Sequence, residues 1–272
     1  MLNPKAGFNM RIRLFEFEDM SWFPNTIRSG MMDYLRYLIR LLDVYQSVTS
    51  LLIEVLKQTK ENHIIDLGSG GGGAIEQIHQ NLKQQSRQEV QITLTDKFPN
   101  LAAWQYIQQK TNNAIYFYAE PVDANQVPDV LKGVRTLFSA AHHFKPEQIK
   151  SMLKEAIKQQ QGICLFDGGD KSLFLLLGSI VFHPLVFFFC TPFFRPFKIS
   201  RILFTYFIPL IPLCTIWDGC VSILRLYRPK ELLQLAESIS NQNYTWKAGR
   251  VKNKLGLQVT YLIGYPNLDT DF

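Results

Sequence analysis

From residue 63 to residue 166 the chain alternates two kinds of apolar pattern. Runs at 63–67, 90–95, 114–118, 134–139 and 162–166 have the length and β-branched content of buried strands. Between them, residues 74–85, 99–110, 125–132 and 146–160 predict helices. Such alternation implies right-handed crossovers and a parallel sheet with helices on both faces. A helix over 229–240 and strands at 243–248 and 256–263 follow, and the short polar loop between those strands predicts an antiparallel pair at the sheet's end. Ahead of the first strand, Met31, Leu35, Leu38, Leu42, Tyr45, Val48, Leu51, Leu52 and Val55 predict one or two helices within 27–58. Residues 11–18 alternate in part, which suits a short strand or an extended arm.

One stretch interrupts the alternation. Ser172 to Phe194 carries no charge over 23 positions, and Ile202 to Trp217 none over 16. Arg195, Lys198 and Arg201 lie between the two runs. The first run is long enough to cross the ~30 Å hydrocarbon core of a bilayer, and the second is short for that. Pro184, Pro192, Pro196, Pro209 and Pro212 are expected to break both. A two-pass hairpin would export the basic loop, against the positive-inside tendency. The pattern therefore predicts a broken helical hairpin dipping into one leaflet, with Arg195, Lys198 and Arg201 near lipid phosphates. The competing reading is an apolar cap packed on the domain or on a partner subunit. Four regions follow: an N-terminal arm with cap helices (1–60), an α/β core (61–170), the apolar insertion (171–218) and the completion of the core (219–272).

At 272 residues the chain can bury a full core. A net charge of +6 suggests an anionic neighbour, either nucleic acid or a lipid surface. Cys164, Cys190, Cys214 and Cys220 show no CxxC spacing, so reduced, buried thiols are expected. Met1 to Lys5 lacks the apolar run of a signal peptide, which points to a cytoplasmic catalytic part, peripheral or monotopic on the membrane.

The chemistry concentrates at Ile64-Ile-Asp66-Leu-Gly68-Ser69-Gly70-Gly-Gly72-Gly73, a strand end, a bare turn and a helix start. That arrangement lets a nucleotide-like ligand approach the backbone, with free N–H groups pointing at it. Gly68-x-Gly70-x-x-Gly73 also satisfies a dinucleotide fingerprint, so the glycines alone do not choose the cofactor. The acids do. Asp66 precedes the glycines, Asp96 ends the second strand where a carboxylate can take both ribose hydroxyls, and Asp123 follows the third strand where it can meet an adenine amine. Three carboxylates at successive strand ends suit a positively charged adenosyl ligand and repel a pyrophosphate. Each has a plainer reading: helix capping for Asp66 and Asp96, loop chemistry for Asp123.

This constellation resembles the class I S-adenosylmethionine-dependent methyltransferases over about residues 60–170 and again over 225–264. The resemblance implies an α/β, Rossmann-like, seven-stranded and mostly parallel sheet whose last strand is antiparallel. It implies S-adenosyl-L-methionine as cofactor. Asp66, Gly68, Ser69, Gly70 and Gly72 would hold the methionine and sulfonium end, Asp96 the ribose, and Asp123 with Ala124 the adenine, while Ser139 completes the cofactor set. The apolar insertion departs from the family's pattern.

The fourth strand ends in Phe138-Ser139-Ala140-Ala141-His142-His143, so His142 and His143 are the candidate general bases, with His142 preferred. Asp167 ends the fifth strand, and a turn is its plainer reading. His63, His79 and His183 read as surface or packing residues. No His, Cys and carboxylate set has metal-ligand spacing, so no metal is expected. Trp22, Phe23, Tyr34 and Tyr37 are candidates to line a substrate pocket, against the commoner role of aromatic core. The leading expectation is methyl transfer to a lipophilic small molecule at a membrane surface. A nucleic-acid methyltransferase is disfavoured, because the basic residues are scattered and the fourth strand lacks an (Asn/Asp)-Pro-Pro-aromatic end. A non-catalytic, membrane-associated module of the same fold is the remaining alternative.

Overall fold

The computed structural model describes residues 11–86, 89–239 and 243–267. The reading of Met1 to Lys5 and the end of the predicted helix at residue 240 lie outside them. β1 (His63–Leu67) lies inside the sheet, paired in parallel with β2 (Gln91–Thr95) on one side and β4 (Val134–Phe138) on the other. β3 (Ile115–Phe117) lies beyond β2, and β5 (Ile163–Gly168) beyond β4, both parallel. β7 (Gln258–Pro266) runs antiparallel to β5, and β6 (Tyr244–Lys252) closes the edge antiparallel to β7. The order is β3-β2-β1-β4-β5-β7-β6. This is the Rossmann-like seven-stranded sheet expected from the sequence, with its one reversed strand.

Helices cover both faces. α2 (Thr49–Thr59), α3 (Gly73–Gln85) and α4 (Leu101–Lys110) bury Leu52, Ile75, Ile78 and Trp104 against one face. α5 (Pro146–Lys158) and α9 (Pro229–Glu237) bury Ile149, Met152, Leu153 and Leu232 against the other. α1 (Asn25–Leu41) precedes them, so the 27–58 stretch forms two helices. The helix expected at 125–132 does not form. Asp123 Oδ1 accepts the Asn125 N–H at 2.9 Å in a side-chain turn, Pro128 has no N–H to give, and Leu131 N–H closes a turn on Pro128 O.

The insertion is helical throughout much of its length. α6 (Leu173–Cys190) ends in a 3-10 turn at Thr191–Phe193. α7 (Ile199–Ile202) continues as a π-helical turn over Leu203–Phe207, and α8 (Leu210–Arg225) carries the chain back to the core, across the boundary placed at 218. Pro184 lies inside α6 without ending it, contrary to expectation. Pro209 precedes α8 and Pro212 sits in its first turn, where a missing N–H costs little. A third core joins α1 to the insertion through Phe23, Ile27, Met31, Tyr34, Phe187, Phe194 and Ile211. Phe23 and Tyr34 are therefore core residues and Trp22 is exposed, and these three line no substrate cleft. All four cysteines are free; Cys164 and Cys214 are buried, Cys190 and Cys220 partly so.

Candidate functional site

A cavity of about 360 Å³ opens at the carboxyl ends of β1, β2 and β4. That size lies within the roughly 300–1,000 Å³ range of small-molecule sites. Asp66, Gly68, Ser69, Gly70, Gly72, Asp96, Asp123, Ala124, Ser139 and His143 all line it. His142 does not.

Asp66 is buried at the end of β1, and its oxygens are occupied by hydroxyls. Ser69 Oγ donates to Oδ2 at 2.6 Å and Thr136 Oγ1 donates to Oδ1 at 2.8 Å. It does not cap α3. Burial pushes its carboxyl up to about 7, and the two hydroxyls oppose that rise. Asp96 accepts the N–H of Gly70 on Oδ2 and of Phe98 on Oδ1, each at 2.7 Å. It is raised by burial and held back by those same two donors. Asn100, not Asp96, caps α4. Asp123 is half-exposed, with Lys97 Nζ 3.7 Å from its Oδ2.

The loop differs from expectation in where its N–H groups point. Ser69 N–H donates to Thr95 O at 2.9 Å, Gly72 N–H to Ser69 O at 2.7 Å, and Gly70 N–H to Asp96. These three are engaged within the protein, so the loop presents a bare surface more than a row of donors. Gly70 and Gly72 adopt φ of +50° and +73°, which a side chain resists. Part of the bareness serves α1: a Cβ on Gly71 would lie 2.7 Å from Met32 O, and one on Gly73 2.5 Å from Arg36 Cα. α1 thus roofs the loop, and Met32 and Arg36 line the cleft.

The histidines separate. His142 is buried, its Nδ1 3.1 Å from Asp167 Oδ1. His143 faces the cleft and meets three acids of the N-terminal arm: Glu16 at 2.7 Å and Asp19 at 2.9 Å from Nδ1, and Glu18 at 3.2 Å from Nε2. Burial favours neutral imidazole, but the Glu16, Asp19 and Glu18 carboxylates prevail and raise its pKa well above the usual value. α8 holds the arm in place. Asp218 accepts the N–H groups of Phe17 and Glu18 at 2.8 and 3.1 Å, and Arg225 Nη1 lies 3.0 Å from Glu16 and 2.9 Å from Asp19. Glu16, His142 and His143 gather ligand atoms within 4.8 Å, a cluster that sequence spacing does not reveal. The Arg225 guanidinium already sits against its carboxylate. Ser139, at φ +51°, pairs its hydroxyl with Tyr45 Oη.

Glu18, Asp19 and Arg28 also line the cleft, and the sequence reading did not include them. The one available signal was the acidic run Glu16, Glu18, Asp19 in a charge-poor chain. The basic trio of the insertion is not presented as a set. Arg201 is buried, and both it and Lys198 bond to Asp33 Oδ2, at 2.9 and 2.8 Å. Arg195 alone is exposed.

No family model matches the sequence, and no curated protein matches it. Among solved structures the chain is similar to the mitomycin 7-O-methyltransferase MmcR, at 13% identity and a TM-score of 0.46, covering 82% of this chain and 54% of that one. It is similar to a putative O-methyltransferase from Nostoc punctiforme, at 14% identity and a TM-score of 0.48, covering 90% and 61%. Human N-acetylserotonin methyltransferase in complex with SAM aligns at 13% identity and a TM-score of 0.45, covering 86% and 56%. This chain thus spans 54% to 61% of the length of these three structures. Its own sheet order, its reversed seventh strand and the position of its glycine loop give the chain a Rossmann-like fold, in agreement with the fold that the sequence resemblance to class I S-adenosylmethionine-dependent methyltransferases implies.

Proposed function

We propose that this chain transfers a methyl group from S-adenosylmethionine to a lipophilic small molecule at a membrane surface. The observation that carries the cofactor is the placement of carboxylates in one cleft: Asp66, Asp96 and Asp123 stand along the sheet's carboxyl edge around the bare glycine loop, in a lining that also holds Glu18, Asp19, Arg28, Arg36, Lys97 and His143. Carboxylates at the loop favour a cationic ligand end there and disfavour a diphosphate. When bound, S-adenosylmethionine supplies an electrophilic methyl on a sulfonium. Asp66, Gly68, Ser69, Gly70 and Gly72 hold its methionine end, Asp96 the ribose, Asp123 and Ala124 the adenine, and Ser139 borders the reactive end.

The protein's own contribution is alignment and exclusion of water. His143 is protonated in this arrangement and is a poor base. It acts as a positioning residue that ties the arm to the cleft wall, with His142 behind it on Asp167.

The lipophilic substrate and the membrane rest on the insertion. Leu173–Phe193 is long and apolar enough to cross a membrane, and only 17% of that window is buried. The following helical pair is bent by 78°, which suits a hairpin dipping into one leaflet. α8 belongs to this apolar unit and also holds the arm that lines the cleft, so a substrate leaving the lipid has a short path to the site.

Calorimetry with S-adenosylmethionine and with NAD tests the cofactor: binding of the first and not the second is expected, and the reverse overturns the reading. Labelled methyl incorporation into a lipid extract then tests the substrate class.

A further inference from the structure

A second cavity, of about 380 Å³, lies outside the cleft between α1, α3, α4 and the turn after α6. Its charged lining residues are all cations: Arg36, Arg40, Lys110 and Arg195. Two buried carboxylates stand behind them. Glu76 pairs with Lys110 and lies 3.4 Å from Arg40. Asp33 is already bonded to Lys198 and Arg201 and lies 4.0 Å from Arg36. Two acids thus serve five cations, and Arg195 adds a sixth positive charge beside them.

Arg36 is only 3% exposed, and its Nη1 is buried without a hydrogen-bond partner. A buried, unsatisfied guanidinium nitrogen is costly unless something fills it. Arg195 makes no hydrogen bond or ion pair among the described residues. Tyr37, Gln77 and Tyr106 line the recess beside the cations, and two rim residues are apolar and open: Phe193 and Leu41 are 65% and 56% exposed, and Phe193 ends the apolar helical stretch of the insertion. A free phosphate has no use for that rim, whereas a lipid presents a phosphate beside apolar chains.

We propose that this recess binds the phosphate of an anionic lipid headgroup, with Arg36 at its base and Arg40, Lys110 and Arg195 around its mouth. Planar guanidinium groups match phosphate oxygens in pairs, which gives the recess more selectivity than diffuse charge provides. The inference rests on the insertion facing a membrane and is independent of methyl transfer. Arg36 also lines the cofactor cleft, so headgroup and cofactor share one side chain.

The test uses the full chain and vesicles of phosphatidylcholine with and without phosphatidylglycerol. The wild type should bind the phosphatidylglycerol vesicles roughly tenfold or more tightly. Arg40→Gln with Arg195→Gln should lose that preference while keeping binding to neutral vesicles and to S-adenosylmethionine. A charge-matched control, Lys57→Gln with Lys132→Gln, should retain it. Equal loss in the control, or retention in the Arg40/Arg195 variant, overturns the site. Inorganic phosphate titrated by calorimetry should bind weakly; tight binding without any vesicle preference assigns the recess to a free anion and overturns the lipid. Failure to bind any vesicle overturns the proposal together with the membrane reading, and S-adenosylmethionine calorimetry remains a separate measurement of the cofactor.

Discussion

Glu16 Oε2 lies 2.7 Å from Nδ1 of His143 and 3.0 Å from Nη1 of Arg225, so one buried carboxylate joins the N-terminal arm, the end of β4 and the last turn of α8. Removing the charge takes away the buried acid and leaves Asp19 as the one carboxylate shared by the two cations. Glu16→Gln should therefore lower the His143 pKa, read by NMR titration, and destabilise the fold by about 3 kcal/mol, read by urea denaturation. The sign with pH follows from the raised histidine. Its contribution is complete below the unfolded value near 6.5 and is lost as pH rises through the higher folded value. The gap between wild type and variant should accordingly narrow in alkaline buffer.

Asp66 should make S-adenosylmethionine binding depend on pH. Its carboxyl, at about 7 in the free protein, is partly protonated at neutral pH, and a cationic ligand favours the ionised form. Affinity for S-adenosylmethionine should rise between about pH 6 and 8, with proton release visible as a buffer-dependent calorimetric heat. Asp66→Asn should bind weakly and show no such rise. A flat profile in the wild type would separate Asp66 from the ligand.

α1 rests on glycines as much as on its own apolar face. A methyl group at residue 73 would enter the backbone of α1 at Arg36 Cα, 2.5 Å away, and backbone yields less readily than a flexible side chain. Gly73→Ala should cost about 1–3 kcal/mol in urea denaturation and weaken cofactor binding as α1 lifts from the loop. Unchanged stability would show that the two elements do not pack this closely.

The strands were legible because most are buried on both faces and read as short apolar runs, and β1 falls where its sequence places it. Asp66 and Asp96 were legible because a carboxylate at the end of such a strand points into the switch-point crevice. Residues 125–132 misled because apolar spacing outweighed Pro128 and the Asp123 turn. Glu16, Glu18 and Asp19 were legible only as an acidic run, with nothing to say that Glu18 and Asp19 line the cleft. Asp218, Ser222 and Arg225 hold that run in place, and no local pattern connects them to it. The same holds for Arg201: its spacing suggested a surface charge, but Asp33 and the carbonyls of Phe194 and Pro196 draw it inside.

Apolar contact with the bilayer can be separated from headgroup binding. Phe174 is 84% exposed and Phe188 66%, so neither contributes much to the third core. Each buried phenylalanine side chain is worth roughly 1.5–3 kcal/mol when it leaves water. Phe174→Ser with Phe188→Ser should thus weaken binding to neutral phosphatidylcholine vesicles by at least ~10-fold while leaving the urea midpoint within about 0.5 kcal/mol of wild type. The remaining preference for phosphatidylglycerol should persist, because the recess of Arg36 and Arg40 is untouched. Loss of fold stability instead of vesicle binding would place these rings against protein and return the insertion to the role of an apolar cap.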